Sequence, residues 1–257
     1  MPDLEVRIDE KRFGDAVILR DLTFSAQCGE FLALVGPSGV GKSTLLNLIA
    51  GLDPLFDGSI HWHGAPLHRH AHSPERLGMM FQEPRLMPWL SALDNVRLVL
   101  ADPAAESERA RTLLQEVGLG HALDAWPNQL SGGMQRRVAL ARAFAVDPRL
   151  LLMDEPFVSL DMPTGNRLRE SLLALWQRDR PLVLFVTHDL REALALADRV
   201  LFLSEPPARI MLDYVVPLER PRNLEGTAIA KLQERLFSRH PSLLSGALEA
   251  PSVRHDT

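Results

Sequence analysis

A chain of 257 residues with 46% hydrophobic and 24% charged side chains can bury a sizeable core and is neither disordered nor fibrous. Its 28 Lys and Arg against 33 Asp and Glu give a formal charge of -5, which argues against non-specific attraction to nucleic acid or an anionic lipid surface, a local basic patch aside. Cys28 is the only cysteine, so no intrachain disulfide forms, no cysteine cluster holds zinc, and a reducing compartment fits best.

The opening MPDLEVRIDEKRF interleaves charges with apolar residues, unlike a secretory signal. Residues 1–30 read as short, partly alternating strands, and FLALV at 31–35 predicts a buried strand followed by a helical run, LLNLIAG. Partial alternation returns at 58–82, with turn signals at Asp57-Gly58 and His63-Gly64. These two stretches suggest an antiparallel β part attached to a parallel core. From about residue 85 to 146 the strand runs vanish, and Ala110, Leu113, Leu114 and Val117 predict a helix in what reads as an inserted helical subdomain. Further strands are expected at 150–153, 182–186 and 200–203, with helices marked by Leu168, Leu172, Leu175 and Trp176 and by Leu190, Ala193, Leu194 and Ala197. Pro-rich segments at 204–210 and 219–223 separate this core from a last amphipathic stretch carrying Ile229, Leu232 and Leu236. The alternation of strands and helices makes the fold class α/β. No apolar run approaches the roughly 20 residues of a membrane helix, so the chain is expected to be soluble and to reach a membrane only through a partner.

Three motifs carry chemistry. Gly36, Pro37, Ser38, Gly39, Val40, Gly41, Lys42, Ser43 and Thr44 lie between the strand FLALV and a helix, the context of a phosphate-binding P-loop. Its glycines let backbone N–H groups converge on phosphate oxygens, Lys42 reaches the β- and γ-phosphates of a nucleotide, and Ser43 can ligate Mg²⁺. At 150–155 an apolar strand ends in Asp154 and Glu155. Adjacent strand residues point to opposite sides, which suits Asp154 to hold Mg²⁺ directly or through water, and Glu155 to orient or deprotonate an attacking water. Ser131, Gly132 and Gly133, followed by Met134 and Gln135, open a further helix, so a serine hydroxyl and helix amides form a second anion site.

With this third motif the chain resembles the ATP-binding subunits of ABC transporters, whose signature is LSGGQ; here Met134 stands at the usual Gln position and Gln135 follows. The resemblance spans residues 4 to about 215 and implies a P-loop NTPase core with an antiparallel β subdomain and a helical subdomain, together an ATP-binding domain over 1–220; residues 221–257, which it does not cover, are expected to form a helical tail. It implies that Gln82 senses Mg²⁺ and the γ-phosphate, that Asp161 in Ser159-Leu160-Asp161 belongs to the D-loop, that His188 contacts the γ-phosphate, and that Phe13 stacks on adenine. With one signature and one P-loop per chain, the resemblance implies a head-to-tail homodimer sandwiching two ATP, each held by Lys42 of one chain and by Ser131 of the other. The resemblance further implies two transmembrane permease subunits on separate chains, with this chain peripheral on the cytoplasmic face of the inner membrane.

The stretch from Phe81 to Val96, with Asp154 to Asp161, resembles importers of the nitrate, sulfonate and taurine group, which also use an external substrate-binding protein. Importers of thiamine-precursor pyrimidines belong to the same group, so the solute stays open. The other reading is a soluble ABC-type ATPase on ribosomes or DNA. Such proteins usually carry two cassettes or a long coiled coil, which this chain lacks, and no nucleic-acid partner is expected. In PRLMPWL two prolines prevent a regular helix, leaving Leu86, Met87, Trp89 and Leu90 either as core or as an apolar patch for a permease coupling helix. His61 and His63 share a strand face with His68, His70, His72 and Glu75 nearby; these form a solvated hairpin or a metal site.

Overall fold

A computed structural model describes residues 2–67, 76–241 and 243. In chain order the elements are β1 (Leu4–Phe13), β2 (Ala16–Ala26), β3 (Phe31–Val35), α1 (Lys42–Ile49), β4 (Asp57–Trp62), β5 (Ala65–Pro66), β6 (Leu77–Met80), α2 (Ala92–Arg97), α3 (Ser107–Glu116), α4 (Gly132–Ala145), β7 (Leu150–Asp154), α5 (Met162–Asp179), β8 (Leu182–Thr187), α6 (Leu190–Leu196), β9 (Arg199–Leu203), β10 (Ile210–Val215) and α7 (Thr227–Arg239). The chain divides into two compact units, one of residues 1–26, 31–71 and 186–257, the other of 27–30 and 72–185.

In the first unit an antiparallel sheet runs in the order β2, β1, β4, β5. Leu4, Val6 and Ile8 face Ala26, Phe24 and Leu22 across the hairpin, all six on one buried face, as period-2 alternation requires. The pairing of β1 with β4 slips between Ile8 and Glu10, so the buried face passes from even to odd residues, a bulge re-aiming the strand end. Lys11 is thereby buried, and its ammonium meets Asp53 Oδ2 and the Leu55 carbonyl, each at 2.6 Å. In the same unit β3 and β9 are parallel and β10 adds antiparallel to β9. Helix α7 packs on α6 through the periodic face of Ile229, Leu232 and Leu236, all buried.

The second unit holds β8, β7 and β6 in that order, its helices gathered on α4, which packs against α2, α3, α5 and β6. Strand β6 pairs parallel with β7, Leu77 opposite Leu150 and Met80 opposite Met153. Residues 77–80 are therefore part of a parallel ladder and not of the antiparallel part to which alternation assigned them. Four residues alternate alike in either kind of ladder, so the pattern carries no direction. At the α4–α5 contact a Cβ on Gly133 would lie 2.1 Å from Thr164 Cγ2, whereas Gly132 has open space.

Two outcomes follow from this packing. Asp53→Ala leaves the buried Lys11 ammonium on one carbonyl and should destabilise the chain by about 2 kcal/mol in urea unfolding, the half-open surroundings of Asp53 trimming the cost of a fully buried pair. Lys11→Met, which removes the charge, should be milder. Gly133→Ala should cost about 1–3 kcal/mol by overpacking, Gly132→Ala much less. Adding Thr164→Ser, which lacks Cγ2, should recover most of the Gly133→Ala loss.

Candidate functional site

Helix α1 begins without a side-chain cap. Its N-cap, Gly41, has φ 105°, and a Cβ there would come within 2.6 Å of Ile18 Cγ2 and 2.9 Å of Leu19 Cδ2. Backbone conformation and the close approach of β2 both demand glycine, and the first helical amides are left to an anion instead of a capping side chain. Lys42 is buried, and its Nζ donates to the carbonyls of Gly36 at 2.8 Å and Pro37 at 2.7 Å. Phosphate oxygens would outcompete these neutral carbonyls for the ammonium, because charge-assisted hydrogen bonds are the stronger. Ser38, Gly39 and Ser43 are exposed, while Pro37 and Thr44 are half-buried.

The same unit carries Phe13 and His188. Phe13 is 54% exposed at the end of β1, on the face that the bulge selected, with Lys11 Nζ 4.6 Å from its ring centroid. His188 is exposed between β8 and α6. His61 is half-buried in β4, but His63 stands beyond the strand end at φ 49°. The two therefore do not share a strand face: the turn rotates His63 away, and its Nδ1 pairs with Asp3 Oδ1 at 3.0 Å. His68, His70, His72 and Glu75 lie outside the described residues.

The second unit carries the remaining motif residues. Gln82 is exposed just after β6, and β7 ends at Asp154, which is half-buried like Glu155. Glu155 has φ 43°, so it has left the strand, and what separates the two carboxylates is a strained turn and not the alternation of a pleat. Ser131 caps α4, its Oγ accepting the Met134 N–H at 3.2 Å. Gln135 is committed elsewhere, donating to the carbonyls of Pro127 at 2.8 Å and Leu130 at 3.2 Å, so its side chain holds the turn that precedes the signature. Asp161 caps α5, accepting the Thr164 N–H at 2.8 Å. Hydrogen bonds from the Thr164 side chain and backbone hold the Asp161 carboxyl below its usual range.

Sequence reasoning missed the groups that fix these loops. Arg136 donates to the Pro156 carbonyl at 3.0 Å, next to Glu155, and Arg142 to those of Arg85 at 2.8 Å and Pro84 at 2.7 Å. Burial lowers the pKa of both guanidinium groups. Asn95 is fully buried, its Oδ1 accepting the Met87 N–H at 2.7 Å while its amide donates to the carbonyls of Met87, Leu90 and Ser91 at 2.9–3.2 Å. No short spacing announces such bonds; only the amide's capacity to template a loop hints at Asn95. On the loop so held, Trp89 is 66% exposed, which excludes it from the core, and Leu86, Met87 and Leu90 are half-buried. A groove of about 360 Å³ nearby is lined by Phe81, Arg85, Met87, Leu98, Val99 and Val146 among others.

Gly-rich loop, acidic strand end and serine-capped helix occur in one chain whose described residues hold no helix long and apolar enough to cross a membrane. Residues 19–158 match the ABC transporter family. The aliphatic sulfonates import ATP-binding protein SsuB 2 of Burkholderia cenocepacia is 44% identical over 236 residues, 92% of this chain and 86% of that protein. SsuB 1 of Mesorhizobium japonicum, of the same description, is 43% identical over 233 residues, 90% of this chain and 85% of that protein. Among solved structures, the ATP-binding cassette MJ0796, dimeric in a post-hydrolysis state with ADP and Pi, matches with a TM-score of 0.73 at 29% identity, over 84% of this chain and 100% of that one. The family match takes in more than half of the residues, and its relatives align along about nine tenths of the length: this chain belongs to the ABC transporter family, as one of its ATP-hydrolysing components.

Proposed function

We propose that this chain powers the import of small organic anions of the alkanesulfonate kind, hydrolysing ATP on behalf of separate transmembrane permease subunits. The observation that carries the reading is the agreement of the relatives, each described as an aliphatic sulfonates import ATP-binding protein and each more than 40% identical along nearly the whole chain. The chain itself makes no contact with the solute in this scheme; a permease pair and an external substrate-binding protein do. It sits peripherally on the cytoplasmic face of the inner membrane. Residues 1–220 form the ATP-binding domain, with a helical subdomain over about 85–146, and residues 221–257 form its tail.

Within that reading each motif has a task. Residues 36–41 and the uncapped start of α1 bind the phosphates through backbone amides, Lys42 exchanges its loop carbonyls for phosphate oxygens, and Phe13 offers an exposed π-face to adenine. Ser43, Asp154 and Gln82 supply a hydroxyl, a carboxylate and an amide oxygen, the hard donor set that Mg²⁺ prefers; the ion, when bound, neutralises phosphate charge. Glu155 accepts the proton of, or orients, the attacking water, and His188 donates to the γ-phosphate. The signature residues Ser131, Gly132 and Gly133, with Asp161 of the D-loop, close on the nucleotide of the partner chain in a homodimer, while Gln135 supports them from behind. Trp89, with the groove beside Phe81 and Arg85, receives an apolar helix of the permease, in keeping with its exposure on a tightly held loop.

A strain lacking this chain should lose ATP-dependent uptake of a radiolabelled alkanesulfonate. The wild-type chain should restore uptake and Glu155→Gln should not, although the variant still binds ATP and hydrolyses it about 10²–10⁴-fold more slowly. Unchanged uptake in the deletion strain would overturn the solute, and near-normal hydrolysis by the variant would overturn the role of Glu155. Trp89→Ala should keep the melting temperature and ATP affinity of the isolated chain while losing pull-down with the permease and transport. A melting temperature that falls in step with pull-down would withdraw the docking face.

A further inference from the structure

Directly behind His188 lies a buried polar pair that none of these roles uses. Thr187 closes β8 at 2% exposure, and Glu192, on the first turn of α6, is 7% exposed. The Thr187 hydroxyl donates to Glu192 Oε2 at 2.9 Å, and Thr187 Oγ1 itself accepts the Asp189 N–H at 3.0 Å. The Asp189 carboxylate in turn accepts the Arg191 N–H at 2.8 Å. Thr187 thus bonds forward across His188, closing a small ring around that residue's backbone, and Glu192 fixes the hydroxyl on which the ring closes.

Helix α6 is a firm reference for this clamp. Arg222 Nη1 donates to the Leu194 carbonyl at 3.0 Å, Arg220 bonds the Leu196 carbonyl, and Arg191 Nε meets Gln233 Oε1 of α7 at 3.1 Å. A buried carboxylate costs free energy that charge-assisted hydrogen bonds only offset, and an apolar pair of similar volume fills such a space at least as stably. Stability alone therefore does not account for Thr187 and Glu192, whereas aiming the exposed imidazole beside them does: its backbone is fastened before and after while its ring stays in solvent.

We infer that Thr187 and Glu192 are positioning residues for ATP hydrolysis, holding the His188 backbone so that its imidazole is presented at the γ-phosphate; this rests on the reading of His188 given above. The test is MgATP hydrolysis by the full chain, with affinity read separately from a fluorescent ATP analogue. Thr187→Val and Glu192→Leu should lower kcat by up to about 10²-fold, the scale of a misplacement near one ångström, with KM and analogue affinity within about twofold of wild type. Thr187→Ser and Glu192→Gln, which keep the hydrogen bond, should recover most of the rate. In a His188→Ala background, Glu192→Leu should bring no further loss.

An additive loss in that background would overturn the inference, as would falls in kcat and affinity that together track the melting temperature. Should Glu192→Leu not fold, the near-isosteric Thr187→Val carries the same comparison. Normal turnover by His188→Ala alone would overturn the underlying role of His188. Impaired turnover by His188→Ala beside normal Thr187→Val and Glu192→Leu would overturn the clamp only.

Discussion

The second unit is organised by guanidinium groups that donate to main-chain carbonyls. Along α4, Arg136 takes the Pro156 carbonyl, Arg137 the Val117 carbonyl, and Arg142 those of Pro84 and Arg85. Burial disfavours the charge of all three, Arg137 feeling Arg167 as well. The compensation comes from irregular backbone whose carbonyls need donors in any case. One helix thus satisfies the turn after the acidic strand, the end of α3 and the segment after Gln82, while its own first turn carries the signature serine. Loops that carry candidate site residues are placed by a regular element instead of by their own local preferences.

The first unit solves a related problem with fewer charges. Its Gly-rich loop is set by glycine geometry against β2, and the buried ammonium of Lys11 in the antiparallel sheet is matched by Asp53 and a carbonyl. Phe13 reaches its exposed position because a bulge changed the facing of β1, so the aromatic candidate and the buried lysine beside it arise from the same slip in register. In both units a local departure from regular structure puts a candidate site residue at the end of an element.

Much of this was legible in the chain. The apolar runs at 31–35, 150–153, 182–186 and 200–203 fall in strands, and the periodic sets around Leu113, Leu172, Leu194 and Leu232 fall in helices, because burial on one or two faces imposes those periods. The Gly-rich loop before α1 was legible because Gly36, Gly39 and Gly41 lie within six residues between a strand and a helix. What was not legible depends on contacts remote in sequence or on single dihedral angles. The direction of β6 is set by its partner, the departure of Glu155 from its strand by one positive φ, the setting of His63 by a turn, and the fixing of residues 87–91 by Asn95 through four hydrogen bonds. None of these leaves a repeating trace. The exposure of Trp89 was undecidable for the same reason, since an apolar cluster around two prolines reads alike inside and outside.

The contact between Gly133 and Thr164 has a mechanical meaning. Each lies within the first turns of its helix, Gly133 two residues beyond the cap Ser131 and Thr164 three beyond the cap Asp161, and the space between them has no room for even one more carbon. Two helix starts packed that closely have no slack with which to slide independently, since a dense interior transmits displacement instead of absorbing it. The caps Ser131 and Asp161, thirty residues apart in the chain, are thereby linked through one steric contact. Neither helix start can move toward the other unless the Thr164 side chain turns aside.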